Sequence, residues 1–144
     1  MIRPATKYDK DQIIQMMLQF KNESQIQAYK NINNLLYWNK LLDSILAGQG
    51  IIFIEDNVGL IMGIITPSIW CDKTLCLHEL AWYVKPEHRY KSVGYKLFKK
   101  YTERAKELKS LGRIQMFTMA KLHNSPNINY SRFGFTKIDE SWMA

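Results

Sequence analysis

Between Thr74 and Met119 the spacing of apolar residues changes from that of a strand to that of a helix and back again. Thr74 to Val84 reads as a strand and is stopped by Lys85-Pro86. Val93, Leu97, Tyr101, Ala105 and Leu108 then recur every three or four positions, which predicts an amphipathic helix from Val93 to about Lys109. Gly112 closes it, and Ile114 to Met119 reads as a second strand. Strand, helix and strand in succession predict a parallel pair joined by a right-handed crossover.

The first half has a different texture. Ile2 to Ala5 reads as a short strand, and Thr6-Lys7-Tyr8-Asp9 has the form of a capping box. Behind it Ile13, Ile14, Met17 and Leu18 stand at helical spacing. A second helix is predicted from about Asn31 to Ala47, with Leu35, Leu36, Leu42, Ile45 and Leu46 on one face and Gly48 as its cap. Lys21 to Lys30 between them reads as a loop or a weak extension of either helix. Ile51 to Glu55 and Leu60 to Thr66 flank Asp56-Asn57 and predict a hairpin. Pro67 is expected to end the second of these strands, with Pro67 to Lys73 as a loop. A short helix from about Pro126 to Phe133 and a last strand from near Phe135 complete the reading. There is no repeat, low-complexity tract or linker, so residues 1–144 are expected to form a single domain.

Composition narrows the class. The apolar share is 47% and the charged share 23%, both globular values. Lys and Arg number 20 against 13 Asp and Glu, a formal charge of +7 that favours anionic partners such as a nucleotide cofactor, a nucleic acid or an acidic surface. No apolar run has the length of a membrane span, and no signal-peptide core follows Met1. Cys71 and Cys76 are too few for a disulfide framework or a zinc site. The expected location is therefore cytoplasmic, with reduced thiols.

Chemistry is concentrated in the turn Pro86 to Tyr95. The first N–H groups of a helix lack intrahelical partners, so the start of the predicted helix forms an anion site. Arg89, Lys91, Lys96 and Lys99 add full charges suited to a pyrophosphate. A plainer reading of the same segment is a solvated basic helix start with Ser92 as N-cap.

The residues of this turn, Arg89-Tyr90-Lys91-Ser92-Val93-Gly94, resemble the Arg/Gln-x-x-Gly-x-Gly/Ala signature of the GNAT acetyltransferase superfamily, preceded by its Val-x-Pro-Glu context at Val84-Lys85-Pro86-Glu87. Ile2-Arg3-Pro4-Ala5-Thr6 resembles the family's opening strand, and Tyr130-Ser131-Arg132-Phe133-Gly134-Phe135 its Tyr-x-x-x-Gly-Phe close. The order and spacing of elements agree over nearly the whole chain. Two positions depart from the pattern. Tyr90 replaces the usual glycine after the arginine, and Ser92 replaces the signature's first glycine. Tyr90 either tolerates the turn at an ordinary φ or crowds the pyrophosphate.

The resemblance implies an α/β fold of mixed α+β type. Its central sheet is mixed and mostly antiparallel, one parallel strand pair is splayed at the cofactor site, and helices lie on both faces. It implies acetyl-CoA as co-substrate, no metal, and direct transfer of acetyl to a primary amine of a small molecule or protein. The pantetheine arm is expected along the strand before the turn, at Ala81, Trp82, Tyr83 and Val84, and the pyrophosphate at Arg89, Tyr90, Lys91, Ser92, Val93, Gly94 and Tyr95. Glu79 is the expected base, acting through a water, with His78 second; alternation allows only one of them to face the site. Tyr130 occupies the position of the acid that protonates the thiolate, and Asn124, or His123 by ungapped counting, that of an asparagine contacting pantetheine. A solvent-facing Glu79 and a core-packed Tyr130 are the plainer alternatives.

Trp38, Trp70, Trp82 and Tyr83 are pocket aromatics or simply core, and an acyl-enzyme on Cys71 or Cys76 is not required. Specificity is expected in Lys21 to Asn34, Pro67 to Lys73 and His123 to Asn129, none of which carries a strong acidic cluster. Nine residues follow Phe135, which suggests abbreviated final strands or completion by a second subunit, hence a possible homodimer. Two other functions stay in view: a GNAT-like module that binds coenzyme A or a protein partner with little turnover, and a basic nucleic-acid-binding domain on the Arg89 to Lys100 face. Neither nucleic acid nor membrane is an expected partner under the leading reading.

Overall fold

The computed structural model describes residues 1–122 and 127–144. Thr6 opens the first helical segment as its sequence dictates, with both arms of the capping box formed around Asp9. Helix α1 (Lys10–Glu23) follows, then α2 (Leu35–Ser44), whose first turn is capped by the Asn34 side chain. Strands β1 (Arg3–Pro4), β2 (Gly50–Glu55), β3 (Gly59–Ser68), β4 (Cys71–Val84) and β5 (Met116–Thr118) form one sheet in that order. Every pairing is antiparallel except β4 with β5, which is parallel. Helix α3 (Val93–Ser110) makes the crossover between those two.

Alternation along the strands divides the core into two layers. Ile52, Ile54, Leu60, Met62, Ala81 and Tyr83 pack with Ile13, Met16, Leu42 and Ile45 from α1, α2 and the turn after α2. On the other face Phe53, Ile61, Leu77 and Val84 meet Leu97, Tyr101, Ala105 and Leu108 of α3. Leu77 and Val84 share a face although their spacing is odd. An extra residue explains it: Met62 pairs with Ala81 but Gly63 pairs with Glu79, so Leu80 is a β-bulge that inverts the alternation. Gly63, beside it, is there for space. A Cβ on Gly63 would lie 2.3 Å from the Tyr101 hydroxyl and 2.9 Å from the His78 carbonyl oxygen.

Several boundaries differ from the sequence reading. β3 runs through Pro67 to Ser68, and β4 begins at Cys71, so the expected loop from Pro67 to Lys73 is a hairpin tipped by Ile69 and Trp70. Proline is tolerated because the pairing shifts at Pro67/Ser68. α2 starts four residues later than expected, at Leu35, and Leu35 and Leu36 are exposed rather than on the buried face. Only Leu42 and Ile45 of that face are fully buried, because the first turn overhangs the rim of a cavity where Tyr37 and Trp38 lie. The predicted strand Ile114 to Met119 shortens to Met116–Thr118. The expected last strand near Phe135 does not form; after the single turn Tyr130–Phe133, residues 134–144 are neither helix nor strand. Phe135 instead sets its ring against Phe98, Phe117 and Tyr130.

A polar knot ties β1, α1 and the β2–β3 turn together. Arg3 holds Asp9 through two bonds, of 2.8 and 2.9 Å, and Asp56 at 2.7 Å, while Gln12 donates to both carboxylates. The Asp9 side chain is almost fully buried, and the Arg3 guanidinium holds its carboxyl well below the usual carboxylate range. A depressed pKa means stability that is present above the ordinary carboxylate pKa and is lost as pH falls below about 4. Asp9→Asn should therefore lower the unfolding free energy by about 2 kcal/mol at pH 7. Chemical denaturation at pH 7 and at lower pH should show that difference shrinking as Asp9 in the parent protein takes up its proton.

Candidate active site

β4 and β5 pair only from Cys76–Met116 to His78–Thr118 and then diverge. Beyond His78, among the described residues, the β4 backbone has β3 on one side and no paired strand on the other. The parting strands, α1, the segment after it and the start of α2 enclose a cavity of about 790 Å³. Glu79 and Leu80 line it at the bulge, with Trp82, Ala120 and Leu122 beside them and Met17, Phe20, Lys21, Tyr37 and Trp38 opposite.

Glu79 is the acidic residue of that lining. Its carboxylate accepts a hydrogen bond of 3.1 Å from the Ala120 N–H, which opens the far side of the split. Burial pushes the carboxyl from 4.5 up to about 7, against the lowering effect of that one N–H. His78 points elsewhere. It is exposed, and its Nδ1 lies 3.0 Å from Thr118 Oγ1. Of the two candidate bases, the geometry brings Glu79 to the cavity.

Tyr130 is half-buried, its ring packed on Phe98 and Phe135. Burial, then the negative charge of Glu79, raises its phenol above the ordinary tyrosine value. Tyr101, one of the apolar positions whose spacing predicts the amphipathic helix, is fully buried in α3. Among the described residues its hydroxyl has no hydrogen-bond partner, and burial and the Glu79 charge raise its pKa as well. Helical periodicity places the tyrosine but says nothing of where its oxygen ends. The N–H of Ala120 was equally invisible in sequence, since any residue carries one.

The turn from β4 into α3 completes the site. The first intrahelical bond of α3 runs from the Lys96 N–H to the Ser92 carbonyl at 3.0 Å, so the N–H groups of Val93, Gly94 and Tyr95 have no partner in the helix. Ser92 precedes α3 but makes no side-chain cap bond. Lys91, Lys96 and Lys99 are exposed and, among the described residues, none is in an ion pair. This cradle of amide hydrogens and ammonium groups fits a pyrophosphate. Tyr90 is fully exposed and at an ordinary φ, so it takes the first of the two alternatives and does not crowd the turn. A Cβ on Gly94 would meet nothing nearer than 3.7 Å.

Arg89 behaves differently from the expectation of a phosphate contact. Its Nε donates to the Val84 carbonyl at 2.8 Å, a guanidinium N–H donates to Glu23 of α1, and the group sits 5.5 Å from the centre of the Tyr83 ring. It braces the turn from behind. The side chains of the proposed pantetheine strand also divide: Ala81 and Tyr83 face the α1 layer, Trp82 and Val84 the α3 layer, with Trp82 stacked on Phe98. What that strand offers along its free edge is backbone. Trp38 and Trp82 line the cavity, whereas Trp70 lies exposed at the hairpin tip. Cys76 is buried and Cys71 exposed, neither on the cavity wall. Asn124 and His123 lie outside the described residues.

The model for the acetyltransferase (GNAT) family matches residues 13–135. No curated protein sequence matches the chain. Among solved structures, a predicted acetyltransferase with acetyl-CoA from Clostridium acetobutylicum superposes with a TM-score of 0.76 at 16% identity, over 100% of this chain and 94% of the other. A ribosomal-protein-alanine N-acetyltransferase from Brucella melitensis biovar Abortus gives 0.64 at 14%, covering 100% and 96%. An aminoglycoside acetyltransferase from an uncultured soil metagenomic sample gives 0.64 at 13%, covering 100% and 95%.

The raised pKa of Glu79 is also a statement about stability. A carboxyl whose folded pKa exceeds 4.5 favours the folded state fully below that value, and the advantage is lost as pH rises through about 7. Glu79→Gln, which keeps an acceptor for Ala120, should raise the unfolding free energy at pH 8 by about 1–3 kcal/mol and have little effect at pH 4. Thermal melts at the two pH values check this.

Proposed function

The chain belongs to the acetyltransferase (GNAT) family, and from that membership we propose that it transfers an acetyl group from acetyl-CoA to the nitrogen of a primary amine. The observation that carries the proposal is Glu79, a carboxyl lifted to about 7 by burial and set where β4 and β5 part. When bound, acetyl-CoA supplies the activated acyl group as a thioester. The N–H groups of Val93 to Tyr95 and the ammonium groups of Lys91 and Lys96 would hold its pyrophosphate, and the free edge of β4 its pantetheine.

The residues then divide the proton work. A lysine-like ammonium has a pKa near 10.4, and an apolar cavity lowers it by disfavouring the charged form. Glu79, ionised above about pH 7, accepts the proton of the attacking nitrogen through a water. As the carbon–nitrogen bond forms and the carbon–sulfur bond breaks, Tyr130 gives its phenolic proton to the departing sulfur and regains one from solvent. Its raised pKa keeps it protonated until then. Arg89 acts at a distance, holding the turn to Val84 and Glu23.

Tyr90 and Ser92 are the argument for a module that binds without turnover; both leave the turn in ordinary backbone conformations, which supports the transfer reading. The expected cytoplasmic location belongs to the same proposal. Among the described residues no helix is long and apolar enough to cross a membrane.

Coenzyme A release, followed with amine acceptors beside calorimetric titration with acetyl-CoA, tests the assignment. Tyr130→Phe should lower kcat by about 10²-fold and leave acetyl-CoA affinity unchanged. Glu79→Gln should abolish the rise of kcat/KM with pH near 7. Rates unchanged in both variants would overturn the assignment. Arg89→Ala should weaken acetyl-CoA binding by about five-fold without changing its salt dependence, since the lost contacts are to Val84 and Glu23 rather than to phosphate.

A further inference from the structure

The acceptor side of the cavity has a definite chemistry. Phe20, Tyr29, Tyr37, Trp38 and Trp82 supply aromatic walls, and Ile32 adds an aliphatic one. Tyr29, Ile32 and Tyr37 are exposed, so much of this apolar lining faces open space that a ligand could cover. Among the described lining residues Glu79 is the one carboxyl group, and near neutral pH it is only partly ionised. The fixed charge opposite is positive: Lys21 Nζ is held in the wall by the Ile32 carbonyl at 2.9 Å and by the Asn33 side chain.

A polyamine or aminoglycoside would bring several ammonium groups into this space. One could lose its proton and react. The others would stay charged, giving up water with no carboxylate to meet them and a lysine nearby. A single amine on an apolar body meets the opposite conditions. Its ring or chain covers the exposed Tyr37 and Ile32, and its nitrogen is the only charge to neutralise. A cavity of about 790 Å³, shared with the acetyl end of the donor, suits a small molecule.

We infer that the acceptor is a small monoamine with an aromatic or other apolar body, bound between Glu79 and the aromatic wall formed by α1, the segment after it and the start of α2. This rests on the acetyl-transfer reading. In the reaction the amine nitrogen gains the acetyl carbon and loses a proton to Glu79, while the coenzyme A sulfur loses that carbon and gains a proton from Tyr130. The products are an uncharged amide and free coenzyme A.

The test compares kcat/KM for phenethylamine and tryptamine with that for spermidine, kanamycin and a short peptide with a free N-terminus. Binding of acetyl-CoA is measured separately by calorimetry. The aromatic monoamines should lead by at least about tenfold. Tyr37→Ala, at an exposed position that the fold does not need, should raise their KM about tenfold and leave the acetyl-CoA Kd unchanged. Ile32→Glu should shift the ratio of kcat/KM toward spermidine by a similar factor. Turnover that favours the polycations or the peptide would overturn this inference and leave acetyl transfer standing. Acetyl-CoA binding without turnover on any of the amines would overturn both.

Discussion

Leu80 stands between the pairs Met62–Ala81 and Gly63–Glu79 with no partner of its own, and the site depends on that one irregularity. A regular β4 would place Glu79, Ala81 and Tyr83 on a single face. Either Glu79 would then be driven against the α1 layer or the two core residues would turn toward α3. The bulge lets the strand satisfy both layers and still direct a carboxylate to the place where β5 leaves. It also bends and twists the strand locally. The parting of β4 from β5 begins within two residues of it, and the cavity fills the gap.

Charge is organised at two scales. The net excess of +7 is diffuse, and in sequence it is compatible with many anions. The turn into α3 concentrates it, because there exposed lysines stand near N–H groups that the helix itself cannot satisfy. Glu79 works the other way. It is one carboxyl removed from water, with a single N–H partner among the described residues, and that isolation is what lifts its pKa toward neutrality. The unpartnered Tyr101 hydroxyl nearby shows the same cost, tolerated beside Gly63 where another residue would leave no room.

Much of this was legible before any coordinates. Period and punctuation located α1, β2, β3, β4 and α3 closely, since each announces itself by local means: a capping box at Thr6–Asp9, a turn at Asp56-Asn57, a proline at Pro86. Alternation required only that Glu79 and His78 not face the site together; the preference for Glu79 came with the family resemblance, and the bulge one residue later was hidden. The failures share a cause. Leu35 and Leu36 have the pattern of a buried face, but burial needs a neighbour, and the first turn of α2 overhangs the rim of the cavity instead. Phe135 begins a segment with strand-like residues, yet it packs as a ring among rings, because aromatic contacts with Phe98 and Phe117 satisfy it without pairing. Arg89 was assigned by its charge, and its actual partners, Val84 and Glu23, are five and sixty-six positions away in the chain.

That last contact has a mechanical meaning. Glu23 closes α1, and the same helix carries Met17, Phe20 and Lys21 on the wall of the cavity. Arg89 belongs to the turn that leads from β4 into α3. The guanidinium is thus a strut between the turn that leads into α3 and the helix that lines the cavity. The contact joins the turn after β4 to the last residue of α1 across sixty-six positions of chain, without passing through the sheet.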